Sequence, residues 1–172
     1  GQKDSAQVYW HKAMDIYEML PYTLGNESLD LDFGRLLVSS KVPEEVRYGV
    51  RVLERCIQKA EDPLNITKAC YYLAEHYLKE GDRRKGENYL ECMYDTFASM
   101  HRGIGFDDLR ILRNAIEVWL ESGNLKNARR YFDVYAGFVD MAYRERMLLN
   151  EERYTLNASR ETYEMNARVR EV

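Results

Sequence analysis

Proline is nearly absent from this chain, with three among 172 residues, and from Val139 to Val172 there is neither proline nor glycine. Nothing in that last stretch breaks a helix by its covalent geometry, so it reads as one long helix or a disordered tail. No apolar run approaches the roughly 20 residues of a membrane-spanning helix. Positive charge is not in excess. The formal net charge is −4, which leaves no electrostatic basis for binding nucleic acid or an anionic membrane. Also missing are a glycine-rich phosphate loop, a Cys-x-x-Cys, a His-Glu-x-x-His and paired carboxylates beside a nucleophile. No enzyme is therefore expected: no catalytic residue, no cofactor and no metal site. The histidines His11, His76 and His101 are far apart, and the first two fall beside buried helix positions, which suits partial burial rather than metal binding. Cysteine is scarce too. Cys56, Cys70 and Cys92 are an odd number without metal spacing. Each falls on the apolar face of its helix and is expected to be a small buried hydrophobe. A disulfide or redox role stays open, as does the redox compartment.

What is present is helical pattern. Apolar residues make up 45% and charged residues 31%, a folded, soluble composition. The stretch ITKACYYLAEHYLKEGDRRKGENYLECM, Ile66 to Met93, reads as two short helices back to back. Cys70, Leu73, Ala74 and Tyr77 recur at spacings of three and four before the break, and Gly86, Leu90 and Met93 recur after it. That is the period of a helix with one buried face. Gly81 suits the left-handed residue that ends a helix, and Asp82 suits the cap of the next.

These residues resemble a tetratricopeptide repeat. The family's large, leucine-alanine, aromatic, glycine, small, large and small positions correspond to Cys70, Leu73-Ala74, Tyr77, Gly81, Gly86, Leu90 and Met93. Cys70 and Met93 depart from the usual aromatic and alanine. Because the family has alanine at the Gly86 position, alanine there, and at Gly49, is expected to stabilise the fold. The pattern recurs along the chain, which is what a repeat architecture requires. Ser5 to Leu20 reads as a lone second-half helix through Ala6, Trp10 and Ala13, with Ile16 and Tyr17 continuing its face. Leu29–Ser40 and Pro43–Lys59 form the next pair, with Gly49, Leu53 and Cys56 in register with Gly86, Leu90 and Met93. Its turn is expected to be two or three residues longer than the central one. This pair also resembles the helical adaptor that recruits mitochondrial fission machinery. Asp107–Ser122 and Leu125–Phe138 form the last pair, through Leu112, Ala115-Ile116, Trp119, Gly123, Ala128 and Phe132. Gly81 to Gly123 is a period of forty-two. The surplus over the family's usual length lies in an extended connection over His101–Phe106.

The resemblance implies an all-α fold: a right-handed α-solenoid of helical hairpins with a long C-terminal helix. The expected domains are a repeat domain over 1–138 and a stalk helix over 139–172. Along the stalk Phe132, Tyr143, Tyr154 and Met165 are eleven apart, as are Ala136, Met147, Ala158 and Val169. An eleven-residue repeat runs almost straight along a helix. Asn150 and Glu161 interrupt the stripe. A weak parallel homodimer through this helix is the expected use of it.

Tyrosine is abundant, fourteen in all, and several fall outside the repeat's core positions. In this family Tyr71 would line the inner groove. Its neighbours would be Lys68, Glu75, Leu78 and Lys79, continued in the next repeat by Arg110, Arg113, Glu117, Leu120 and Glu121. A mixed-charge groove with an aromatic suits a protein or peptide segment. The alternative is that Tyr71 and Tyr72 pack between repeats. Some family members clamp a chaperone's carboxylate tail with a lysine and an asparagine. The matching positions here are Tyr71 and Glu75, so that clamp is not expected.

The layout as a whole, repeats running into a Glu/Arg/Tyr-rich helix, is similar to the extracytoplasmic sensor part of Bacteroidetes signalling regulators. That resemblance implies a periplasmic protein- or ligand-binding module of a membrane-linked signal-transduction regulator. The polar start Gly1-Gln2-Lys3-Asp4-Ser5 would suit a chain that has lost a leader. The rival expectation is a free-standing cytoplasmic adaptor or cochaperone.

Overall fold

The computed structural model describes residues 27–101 and 103–170, together with Lys12, Asp15, Ile16 and Met19. Those four are helical and exposed. The rest of the expected helix over Ser5–Leu20, including Ala6, Trp10, Ala13 and Tyr17, lies outside the described residues. The described chain is all-α: α1 (Glu27–Val38), α2 (Pro43–Lys59), α3 (Pro63–Lys79), α4 (Arg83–Ser99), α5 (Phe106–Glu121) and α6 (Leu125–Arg170). It divides into two compact units, Gly1–Phe97 and Ala98–Val172.

Most helix ends follow from local chemistry. Pro43 and Pro63 open α2 and α3, where a missing N–H costs nothing. Asp62 caps α3 by accepting from the Leu64 N–H at 2.9 Å. Two turns are built alike. Gly81 and Gly123 take φ of 81° and 73°, the left-handed region that only glycine enters without penalty. Behind each, the next residue's N–H reaches back: Asp82 to the Tyr77 carbonyl and Asn124 to the Trp119 carbonyl, both at 2.9 Å. The same two residues then cap the following helix, Asp82 Oδ1 accepting from Lys85 N–H at 3.2 Å and Asn124 Oδ1 from Asn127 N–H at 3.1 Å. The α1–α2 turn differs. It takes residues 39–42 against 80–82 in the α3–α4 turn, one residue longer and not two or three. It is held by the Ser40 hydroxyl, which donates to the Glu45 carboxylate and accepts from the Val42 N–H.

In the first unit α1 packs on α2, and α3 packs on both. Leu31, Leu53, Cys56, Ala69 and Leu73 from these three helices form the core, flanked by half-buried Tyr72, Tyr77 and Tyr89. Two carboxylates are buried with it. Glu27 accepts from the Glu61 N–H at 2.9 Å and from Asn65 Nδ2 at 3.0 Å, tying the start of α1 to the start of α3. Asp30 meets Arg55 Nη2 of α2 at 3.0 Å. Helix α4 closes on α3 through stacked Tyr77 and Tyr89 rings, 5.7 Å between centroids. The Tyr89 hydroxyl also donates to Glu54 of α2 at 3.0 Å.

The glycines at the helix crossings carry a correction. A Cβ at Gly49 would lie 2.7 Å from the Val38 amide nitrogen and 2.7 Å from Leu37 Cβ. At Gly86 it would lie 2.6 Å from Leu78 Cγ and 3.2 Å from the Ala74 carbonyl oxygen. At Gly49 backbone stands where a methyl group would go, and at Gly86 the Leu78 side chain would have to turn aside to admit one. The geometry argues against the expected gain from alanine.

In the second unit α5 packs on the first part of α6. Leu112, Ala115 and Trp119 are buried on α5, and Ala128, Tyr131 and Phe138 on α6. The expected core residue Phe132 is 56% exposed, whereas Tyr131 is fully buried and meets Trp119 at 6.4 Å. Tyr131 lies three residues from Ala128 and Phe138 ten, so these three share the face turned to α5. Phe132 lies about 100° round the helix from Tyr131. Met100 and Ile104, in the connection before α5, are also buried.

Helix α6 runs unbroken for 46 residues, roughly 70 Å at about 1.5 Å per residue. Residue 138 falls in its interior. From Tyr143 to Tyr163 every residue is exposed. The apolar residues there do not form one stripe. Tyr143, Met147 and Tyr154 share one side. Leu149, Leu156 and Tyr163, seven apart, lie on the opposite one, since the two residues from Tyr154 to Leu156 turn the helix by about 200°.

Candidate functional site

The ten groove residues divide evenly between the units. Lys68, Tyr71, Glu75, Leu78 and Lys79 lie on α3. Arg110, Arg113, Glu117, Leu120 and Glu121 lie on α5. Each α5 position follows its α3 counterpart by forty-two residues, the interval that separates the two matching turns. The hairpins thus present the same helix face in the same register: Lys68 with Arg110, Tyr71 with Arg113, Glu75 with Glu117, Leu78 with Leu120 and Lys79 with Glu121.

On α3, Lys68, Tyr71, Glu75 and Lys79 fall three, four and four residues apart, which puts them on one face. Lys79 Nζ pairs with Glu75 Oε1 at 3.0 Å. The Tyr71 ring meets Tyr72 edge-on, with centroids 5.8 Å apart. The two tyrosines do different work. Tyr72 borders the core, and the Arg35 guanidinium of α1 lies 5.7 Å from its ring centroid. Tyr71 is half-buried at the rim of the face. Leu78 is used within its own hairpin, since its side chain lies over Gly86.

On α5 all five residues are exposed. Arg113 Nε stands 3.8 Å from Glu117 Oε1. Such pairs on an exposed helix face contribute about 0.3–0.5 kcal/mol. Leu120, three residues after Glu117, is 51% exposed. Each of the two faces carries charges of both signs, beside Tyr71 on α3 and Leu120 on α5. Among the described residues no group of three or more His, Cys, Asp or Glu could hold a metal ion. His76 packs its ring 5.1 Å from Tyr77 and is half-buried, and His101 is exposed.

One arrangement has no signal in the spacing of the sequence. The sulfurs of Cys70 on α3 and Cys92 on α4 stand 2.8 Å apart, with the Cys70 thiol donating. Cys56 and Cys70 are fully buried and Cys92 half-buried. The hydrogen bond from Cys70 makes the Cys92 thiol easier to ionise than an ordinary cysteine. The same bond, together with burial, holds the proton on Cys70. A hairpin register had to be known before residues this far apart could be paired. No family model matches the chain, and no curated protein or solved structure matches it.

Proposed function

We propose that this chain is a non-enzymatic, tetratricopeptide-like binding module, built of helical hairpins, whose outward hairpin faces hold a segment of a protein partner. The observation that carries the reading is the forty-two-residue correspondence. Two hairpins with like turns, at Gly81 and Gly123, repeat one outward face that mixes charge with Tyr71 on one copy and Leu120 on the other. An outward face of this kind on a hairpin suits an extended or helical ligand. The run of repeats into a long helix supports placing the module in the sensor part of a membrane-linked regulator, outside the cytoplasm. Among the described residues no helix is long and apolar enough to cross a membrane. A continuation of the coding sequence into a membrane span would favour the sensor, and a stop codon after Val172 the free-standing adaptor. Pairing of two copies along α6 belongs to the same reading.

The binding claim is tested with peptides selected on the intact chain. Tyr71→Ala and Arg113→Ala together should weaken their affinity by about tenfold or more, the loss expected when an aromatic and an arginine contact are both removed. Peptides that bind the double variant as tightly as the parent place the site elsewhere.

A further inference from the structure

The α3–α4 hairpin sets two cysteines side by side. Cys70 follows Ala69 and precedes Leu73 on the buried face of α3, and it has no exposed surface. Cys92 sits beside fully buried Met93 on α4, at the edge of that helix's buried face, and keeps part of its surface open. Their sulfurs are 2.8 Å apart, and a disulfide has about 2.05 Å, so bonding needs a closure of under ~1 Å. The hairpin already aligns the two helices through the Tyr77–Tyr89 stack and the tight Gly86 crossing. One cysteine is half-buried and its neighbour fully sheltered, which is the layout of an oxidisable cysteine with its resolving partner.

We propose that Cys70 and Cys92 are a reversible oxidation site, converted by a hydroperoxide to a disulfide that ties α3 to α4. Cys92, as thiolate, attacks one oxygen of the peroxide. The O–O bond breaks, the other oxygen leaves as water or alcohol after taking a proton, and Cys92 becomes a sulfenic acid. The Cys70 sulfur then attacks the Cys92 sulfur. The S–S bond forms, the S–O bond breaks, and hydroxide leaves with the Cys70 proton as water. In sum two thiols lose two electrons and two protons, and the peroxide takes both. A small dithiol restores the thiols by exchange. The Cys70–Cys92 hydrogen bond favours this order, because it makes the less buried cysteine the one that ionises. Cys56 is buried on α2 and lies near enough to Cys70 to interact with it, so the pair is set by the 2.8 Å approach of Cys92. This inference stands on the hairpin alone and does not depend on the binding reading.

The test exposes the reduced full chain to stoichiometric hydrogen peroxide, counts free thiols and maps cross-linked peptides without reduction. The three thiols should fall to one, Cys56, with a Cys70–Cys92 peptide in a chain linked to no second copy, and a dithiol should restore all three. In Cys70→Ala, Cys92 should be trapped as sulfenic acid by a dimedone probe with no cross-link. In Cys92→Ser, Cys70 and Cys56 should both stay reduced. Three thiols surviving in the wild type, a bridge that includes Cys56, or a Cys92 that oxidises further while Cys70 stays a thiol would overturn the proposal. The wild-type result decides this even if a variant fails to fold.

Discussion

At the scale of single residues, the positions that spacing marked as core largely are core, and what stands opposite them is what spacing could not give. Gly49, Leu53 and Cys56 are buried, as are Gly86, Leu90 and Met93. Yet a small residue at a crossing can be small by family habit or because nothing larger fits, and only the facing helix separates the two. At Gly49 the facing atom is the Val38 amide nitrogen, which cannot step aside without moving α1. At Gly86 it is chiefly Leu78, a half-buried side chain that can turn, backed by the Ala74 carbonyl. Overpacking of this kind costs about 1–3 kcal/mol, more than the roughly 0.5–1 kcal/mol that alanine returns in a helix. Both Gly49→Ala and Gly86→Ala should therefore lower the melting temperature, Gly49→Ala by more. Thermal denaturation checks this, and a rise for Gly49→Ala would mean that α1 and α2 part easily. Phe132 and Tyr131 teach a related lesson. Two adjacent aromatics fit a spacing rule almost equally, and the α5 surface chose Tyr131.

At the scale of helices, local signals placed the ends well. Pro43, Gly81-Asp82 and Gly123 act within a few residues of themselves, so the chain alone reveals them, whereas the start at Asp62-Pro63 precedes the expected Ile66 by a turn. The Glu27 tether acts between residues at least 34 apart and was invisible for that reason. Its carboxylate is held below the usual carboxylate range, mainly by the Glu61 N–H, with Asn65 and the Asp62 N–H helping and burial opposing. A lowered folded-state value means that Glu27 contributes stability above its unfolded value, near 4.3, and loses it as pH falls through the folded one. Asp30 has the opposite sign. Burial raises it despite Arg55, so the native state takes up that proton first. Comparing wild type with Glu27→Gln cancels the Asp30 part. The variant should lose about 1–3 kcal/mol at neutral pH, as expected for hydrogen bonds to a buried charge. The gap should narrow as pH drops below about 4. Denaturant melts over that range measure it, and a gap independent of pH would show that shape rather than charge holds the α1–α3 junction.

At the scale of the whole chain, α6 poses the question of what its far part is for. The neutral, breaker-free composition predicted one helix or a disordered tail, and the described residues form one helix to Arg170. The eleven-residue stripe is legible in the sequence, and the helix carries a second row on the opposite side, Leu149, Leu156 and Tyr163. Spacing of seven is the seam of a supercoiled pair, and spacing of eleven that of a nearly straight one. With every residue from Tyr143 to Tyr163 exposed, this segment buries little against the described residues, and a lone helix in water is stabilised mainly by burying a face. Ending the chain at Ala142 should therefore shift the melting temperature of the remainder by no more than about 2 °C in dilute solution, the scale of surface changes, while its helical signal falls. A second copy is the proposed cover, and the absence of a continuous leucine seam makes the pairing weak. Sedimentation should show the full chain associating as concentration rises and the shortened chain staying monomeric. If both stay monomeric at every concentration, α6 does not pair with itself. If the shortened chain still dimerises, the contact lies on the hairpins, and Leu156→Glu should then leave it intact while breaking a dimer built on the seven-residue row.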